Sequence, residues 1–150
     1  QFSLAPQANQ KSIEVNLDAS GNSSNKFSYH EGLTWYKDLN KAFEVSSLSG
    51  QPIFVDFTGY TCTNCRWMEV NVFVKPEIKE RFEKMTLVQL YTDGGPNHKE
   101  NQIYEIDRFG TAALPYYVIL SPNDEVISTF PGMTRNINDF IDFLDSGLEG

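Results

Sequence analysis

The chain reads as an α/β domain with a mixed central sheet flanked by helices, and three observations predict it. Short apolar runs at 53–57, 86–92 and 116–120 alternate with segments of helical period. The last run is followed by Ser-Pro-Asn-Asp and a second strand-like segment, which together read as an antiparallel hairpin. The first run turns through Gly59 and delivers the chain's two cysteines, Cys62 and Cys65, at the start of a segment that reads as a helix.

Residues 1–10 are polar with one proline. Ser12 to Leu17 then alternates Ile13, Val15 and Leu17 with polar neighbours, a half-buried strand signal, and 18–26 is a loop by composition. The segment 34–46 places Trp35, Leu39, Ala42 and Phe43 on one helical stripe, and Ser49, Gly50 and Pro52 end it. Ile53 to Phe57 is a buried strand. The helix after Cys62 runs to about Val70, and Pro76 suits the first turn of a second helical piece ending near Lys84.

Thr86 to Thr92 is the next strand, and 93–97 is a turn-rich loop. His98 reads as a solvated loop histidine and not a metal ligand. A helix over about 99–108 turns Ile103 and Ile106 inward. Tyr116–Leu120 and Glu125–Phe130 form the hairpin, broken by Pro131 and Gly132. The last helix, 136–148, carries Ile137, Phe140, Ile141, Leu144 and Leu148 at helical spacing. The expected order is βαβαβαββα with one βαβ crossover and helices on both faces. Residues 1–30 read as an N-terminal extension with a candidate extra strand, and 31–150 as one domain.

The cysteine spacing carries chemistry. Residues three apart on a first helical turn can meet the roughly 4.4–6.8 Å between α-carbons that a disulfide requires. The first cysteine lies at a helix N-terminus, where unpaired amides and the macrodipole favour a thiolate. Cys62 is therefore the candidate nucleophile toward a partner disulfide, and Cys65 the resolving thiol. The competing reading is half a zinc site. It would need two further ligands from His30, His98 or carboxylates, and no second paired motif is present, so no metal and no cofactor is expected.

A chain of 150 residues can bury roughly 68–70% of its unfolded surface, enough for a single core. The net charge of −8 argues against nucleic acid and against an anionic membrane surface as partners. No run approaches the roughly 18–20 apolar residues of a membrane span, so a soluble chain is expected. It starts at Gln1, without initiator Met or signal sequence, which reads as a mature or excised piece of something longer.

Several separate motifs now resemble the thioredoxin superfamily: Val55-Asp56-Phe57 before the cysteines, Phe109-Gly110 leading to Leu114-Pro115, and Gly132 after the hairpin. The resemblance covers about 33–148 and implies a thioredoxin-like fold with a cis proline at 115. A narrower block, FVDFTGYTCTNCRWME followed by V-F-x-x-P-x-I, is similar to the C-terminal domain of the DsbD family of thiol:disulfide interchange proteins. The terminal FIDFLDSGLE is similar to it as well. That resemblance implies a periplasmic or otherwise extracytoplasmic domain of a membrane-anchored protein. It would take electrons from a membrane-embedded domain of the same parent and pass them to other thiol-disulfide proteins. Thr61 stands where thioredoxin has Trp, and Thr63-Asn64 replaces its Gly-Pro.

Asp56 lies on a strand that should be buried on both faces, where a carboxylate is costly unless partnered. It reads either as the proton acceptor for Cys65 or as a buried acid satisfied by local amides. Glu69, four residues past Cys65, reads as a solvated helical residue, while the DsbD-type resemblance implies an acid paired with the strand acid. Pro115 is an ordinary strand-start proline or the superfamily's cis proline, whose loop with Leu114 would pair with a substrate strand. Tyr60, Tyr116 and Phe57 are rim or core aromatics. The function expected is a protein-disulfide reductase acting as a monomer. The alternatives are a free-standing thioredoxin-like reductase and a redox-inert binding domain on the same scaffold.

Overall fold

The structure, a computed structural model, describes residues 27–30 and 32–149. The strand expected at 12–17 lies outside the described residues. In chain order the elements are β1 (Phe27–His30), β2 (Leu33–Tyr36), α1 (Leu39–Ser49), β3 (Ile53–Thr58), α2 (Thr63–Asn71) and α3 (Pro76–Phe82). There follow β4 (Thr86–Tyr91), α4 (His98–Phe109), β5 (Tyr116–Leu120), β6 (Val126–Pro131) and α5 (Ile137–Glu149). Among the described residues the sheet has six strands in the order β1-β2-β4-β3-β5-β6. Strands β2, β4 and β3 run parallel, while β1, β5 and β6 pair antiparallel with their neighbours.

Strand β3 is central and buried along its whole length, as a strand covered on both faces must be. Its alternation sends Phe54 toward one layer and Ile53, Val55 and Phe57 toward the other. The first layer holds α2, α3 and α5 through Met68, Phe73, Ile78, Phe82, Phe140 and Leu144. The second holds α1 and α4 through Leu39, Ala42, Tyr104 and Phe109. Phe54 is the hub of the first layer, with Trp35, Phe82 and Tyr117 ring centroids 5.9, 4.9 and 5.6 Å away. Helix α5 presses closest at Gly147, where a Cβ would sit 2.5 Å from Ile119 Cδ1, so only glycine fits.

Two expectations are corrected. The helix predicted over 34–46 is instead β2 followed by α1, and Trp35 is a strand residue. Leu33 to Tyr36 alternate buried with half-buried, and Thr, Trp and Tyr suit that pleated surface. The helix begins only after Asp38, whose carboxylate accepts the Asn40 N–H at 3.0 Å as an N-cap. Strand β1 pairs with β2 from within residues 1–30.

Ile103 and Ile106 do not face inward; both are exposed. The inward stripe of α4 is Tyr104, Glu105 and Phe109. Two aromatic rings lie 6.0 and 5.9 Å from Phe57, and Arg108 donates to the Tyr104 hydroxyl at 3.0 Å. Two large rings bury more apolar area than two isoleucines, and the helix rotates accordingly.

That rotation buries Glu105, and neither of its carboxyl oxygens has a hydrogen-bond partner. Burial pushes its carboxyl from the ordinary 4.5 up to about 8. The folded chain then holds a proton that the unfolded chain has lost, so stability falls as pH rises through that window. Asp56, raised from 3.8 to about 7, adds a slope of the same sign lower in pH. Glu105→Gln should flatten the upper part of this slope and raise stability near pH 8 by about 1–3 kcal/mol. Urea unfolding of both proteins across the window checks it.

Candidate active site

The turn Gly59-Tyr60-Thr61 carries the chain from the end of β3 into α2. Cys62 is the helix N-cap, and its sulfur accepts the Cys65 N–H at 3.2 Å. The two cysteines form a disulfide with α-carbons 5.3 Å apart, within the range expected from the spacing. Cys62 is half-buried, whereas Cys65 is 2% exposed. Among the described residues no three His, Cys, Asp or Glu side chains are grouped to hold a metal ion.

Asp93, just past β4, was not anticipated from sequence. Its carboxylate accepts the Tyr60 and Thr61 N–H groups at 2.8 and 3.0 Å and the Thr61 hydroxyl at 2.9 Å. Those bonds hold its pKa below the ordinary carboxylate range. Gly59 is required by the same contact, since a Cβ there would lie 2.8 Å from Asp93 Oδ2 and 3.0 Å from Leu114 Cδ1. Tyr60 is an exposed rim aromatic whose ring stacks on Tyr91 at 4.1 Å. Tyr116 and Phe57 are core. The one sequence signal for Asp93 was an acid opening the turn after a strand.

Beneath α2 a polar row crosses the sheet. Asp56 pairs in register with Gln89 on β4 and Tyr117 on β5. The Gln89 amide donates to Asp56 Oδ2 at 3.2 Å and to Glu69 Oε2 at 3.4 Å, so it bridges the two carboxylates. Arg66 donates to Glu69 at 2.7 Å and to Thr58 Oγ1 at 3.0 Å. Lys37, following β2, lies over the Tyr91 ring at 4.8 Å. Burial raises the Asp56 carboxyl to about 7, Gln89 draws it down, the Glu69 charge raises it, and Arg66 and Lys37 lower it. Burial also lowers the Lys37 pKa, against the Glu69 and Asp56 charges.

Gln89, Arg66 and Lys37 escaped the sequence reading, although a glutamine inside the apolar run TLVQLYT was a visible anomaly. Leu114 precedes a cis bond to Pro115, whose carbonyl accepts the Gly132 N–H at 2.9 Å. Among the described residues Leu114 itself makes no main-chain hydrogen bond. His98 opens α4, and its Nδ1 lies 2.9 Å from the Gly95 carbonyl oxygen.

Asp93→Ala releases two amides and a hydroxyl at an exposed turn, so the loss should be about 1 kcal/mol after solvent screening. A carboxyl whose folded pKa is depressed stabilises the fold at neutral pH and loses that effect in acid. The destabilisation should therefore be seen at pH 7 and vanish once the wild-type carboxyl is protonated, as paired thermal melts would report.

The thioredoxin-like family profile matches residues 34–122, more than half of the chain. No curated protein matches the chain. Among solved structures, the chain is similar to the oxidised C-terminal domain of Neisseria meningitidis DsbD, with 17% identity and a TM-score of 0.62 over 75% of this chain and 98% of that one. It is similar to a thioredoxin from Thermus thermophilus, with 23% identity and a TM-score of 0.61 over 74% and 83%. A DsbH oxidoreductase shares 21% identity at a TM-score of 0.57 over 75% and 85%. At such identities these likenesses are of fold, and with the profile they place the CxxC pair at the head of α2 in a familiar frame. The chain belongs to the thioredoxin-like family.

Proposed function

We propose that the domain is a thiol-disulfide oxidoreductase that acts mainly as a reductant in a DsbD-type extracytoplasmic relay. The observation that carries this reading is the Cys62–Cys65 disulfide at the head of α2, with Cys62 half-buried and Cys65 buried. In the reduced domain the Cys62 thiolate attacks a partner disulfide, forming a mixed disulfide and expelling one partner thiolate. Cys65 gives its proton to Asp56 and attacks Cys62 Sγ. This closes the intramolecular disulfide and releases the second partner thiolate. Two electrons pass to the partner.

The remaining site residues have roles in this scheme. Asp56, with a pKa near neutrality, suits a group that both takes and returns a proton. Glu69, bridged to it by Gln89, sets its charge environment. Leu114 has free main-chain groups for an extended substrate segment, and Tyr60 offers an aromatic rim beside Cys62. The partners are other thiol-disulfide proteins, and the electrons come from a membrane-embedded domain of the same parent protein. The domain acts as a periplasmic monomer. The DsbD-type part rests on the motif block around the cysteines and on coverage of nearly all of the Neisseria domain's length. A free-standing reductase is the second reading, favoured by a similar likeness to the Thermus thioredoxin.

In the reduced protein iodoacetamide should label Cys62 before Cys65 near neutral pH. Cys65→Ser should trap mixed disulfides, and Cys62→Ser should not. Equilibration with glutathione buffers should give a potential nearer thioredoxin's, about −270 mV, than DsbA's, about −120 mV. The latter value would reverse the assigned direction, and the lack of any reversible two-electron couple would favour an inert scaffold. Membrane helices encoded upstream of Gln1 would separate the relay from the free-standing enzyme.

Neutralising either carboxylate removes like charge from the vicinity of the thiols. The apparent Cys62 pKa should then fall in Asp56→Asn and, less strongly, in Glu69→Gln. The check is the pH dependence of alkylation, and curves superimposed on wild type would exclude the pair as tuners.

A further inference from the structure

A cleft of about 350 Å³ opens beside α2, lined by Leu33, Trp35, Glu69, Val70, Phe73, Val74 and Gln89. Its mouth is at the helix, where Val70 and Val74 are 67% and 41% exposed, and its floor includes Gln89, which is 2% exposed. That volume holds several waters, each needing about 10–15 Å³ of such space. The walls are mostly apolar, yet the floor is polar, and the Gln89 Oε1 atom there has no hydrogen-bond partner. Behind it the Gln89 amide touches Asp56, whose Oδ1 is also unpartnered. The Gln89 oxygen is shut off from solvent, so water in the cleft reaches it only when the Gln89 side chain moves.

The position of the cleft matters as much as its lining. Glu69 and Val70 lie about 10–12 Å along α2 from Cys62, at 1.5 Å per residue. In the sheet β2 and β4, which supply Leu33, Trp35 and Gln89, lie on one side of β3. The strand that follows Leu114 and Pro115 lies on the other. A partner docked over Cys62 and Leu114 therefore covers one flank of Asp56 and leaves this cleft open. Asp56 itself is buried, so a proton that it accepts has to leave by some such passage.

We propose that this cleft is the proton port of the site, through which Asp56 exchanges its proton with solvent while a partner is attached to Cys62. Gln89 is the gate between Asp56 and the cleft water, and Glu69 is the carboxylate on the wet side. The inference rests on the reading of Asp56 as proton acceptor. During resolution the proton on Cys65 Sγ passes to Asp56, and the Cys65–Cys62 bond forms as the Cys62–partner bond breaks. The Asp56 proton then leaves through the cleft, while the departing partner thiolate takes a proton from bulk water.

The test is a single turnover of the reduced protein with 5,5′-dithiobis(2-nitrobenzoate). The first nitrothiobenzoate released reports attack by Cys62, and the second reports resolution by Cys65. Val74→Trp, alone and combined with Val70→Trp, narrows the mouth without touching the proposed catalytic groups. Both should leave the first phase and the thermal midpoint near wild type. They should leave the second phase fast but delay the accompanying proton release, followed with a pH-indicator dye, at least fivefold behind it, while Val74→Ala should release its proton in step with that phase. Proton release in step with the second phase in both tryptophan variants, with that phase slow in Asp56→Asn, would overturn the port and leave Asp56 as proton acceptor. A second phase unchanged in Asp56→Asn would instead overturn the reading on which the port depends.

Discussion

A carboxyl group in the middle of the central strand constrains the rest of this structure. Asp56 is enclosed by β4, β5 and the helix that carries the cysteines, and so complete a burial cannot hold a bare charge. The protein answers in two ways. It lets the pKa rise to about 7, and it places Gln89, Arg66 and Lys37 around the group so that the ionised form is still accessible. The balance of burial against these groups leaves the carboxyl at about 7.

The same balance explains why the cation and amide groups come from three different elements. Arg66 is on α2, Gln89 on β4, and Lys37 follows β2. Gln89 bonds Asp56 directly, while Arg66 and Lys37 act on it through their charge, so its environment depends on the packing of α2 against the sheet. Beside the row, on the same face, Trp35, Phe54, Phe73 and Phe82 interlock against α2 at centroid distances of 4.9–6.2 Å. Phe54 and Asp56 are two residues apart on β3, so the apolar layer and the polar row sit side by side on the sheet face that α2 covers. On the opposite side of the cysteines, Asp93 fixes the turn that presents Cys62.

Much of this was legible along the chain because it is local. The CxxC pair, the helix it starts, the buried β3 and the hairpin are read from residues within a few positions of one another. The fold class followed from the alternation of apolar runs with helical-period segments. The errors were local too. Trp35, Leu39, Ala42 and Phe43 fit a helical stripe by spacing, but Trp35 is claimed by the strand register against Leu87, and the Asp38 cap starts the helix later. Ile103 and Ile106 lost the inward face of α4 because Tyr104 and Phe109 reach Phe57, a contact across about a third of the chain that hydropathy does not record.

By itself, then, the sequence determined the identity and order of the two thiols and the presence of an acid on the strand before them. It also determined the punctuation that makes a single α/β domain. Tertiary structure alone decided what surrounds those groups. Gln89 meets Asp56 only because β3 and β4 pair in one register, 33 residues apart in the chain. Asp93 meets Thr61 only because the ends of the same two strands lie side by side. Pairings of this kind depend on which strands become neighbours and on how far one slides along the other. That choice is made by the burial of the whole apolar set at once and not by any stretch of residues read alone.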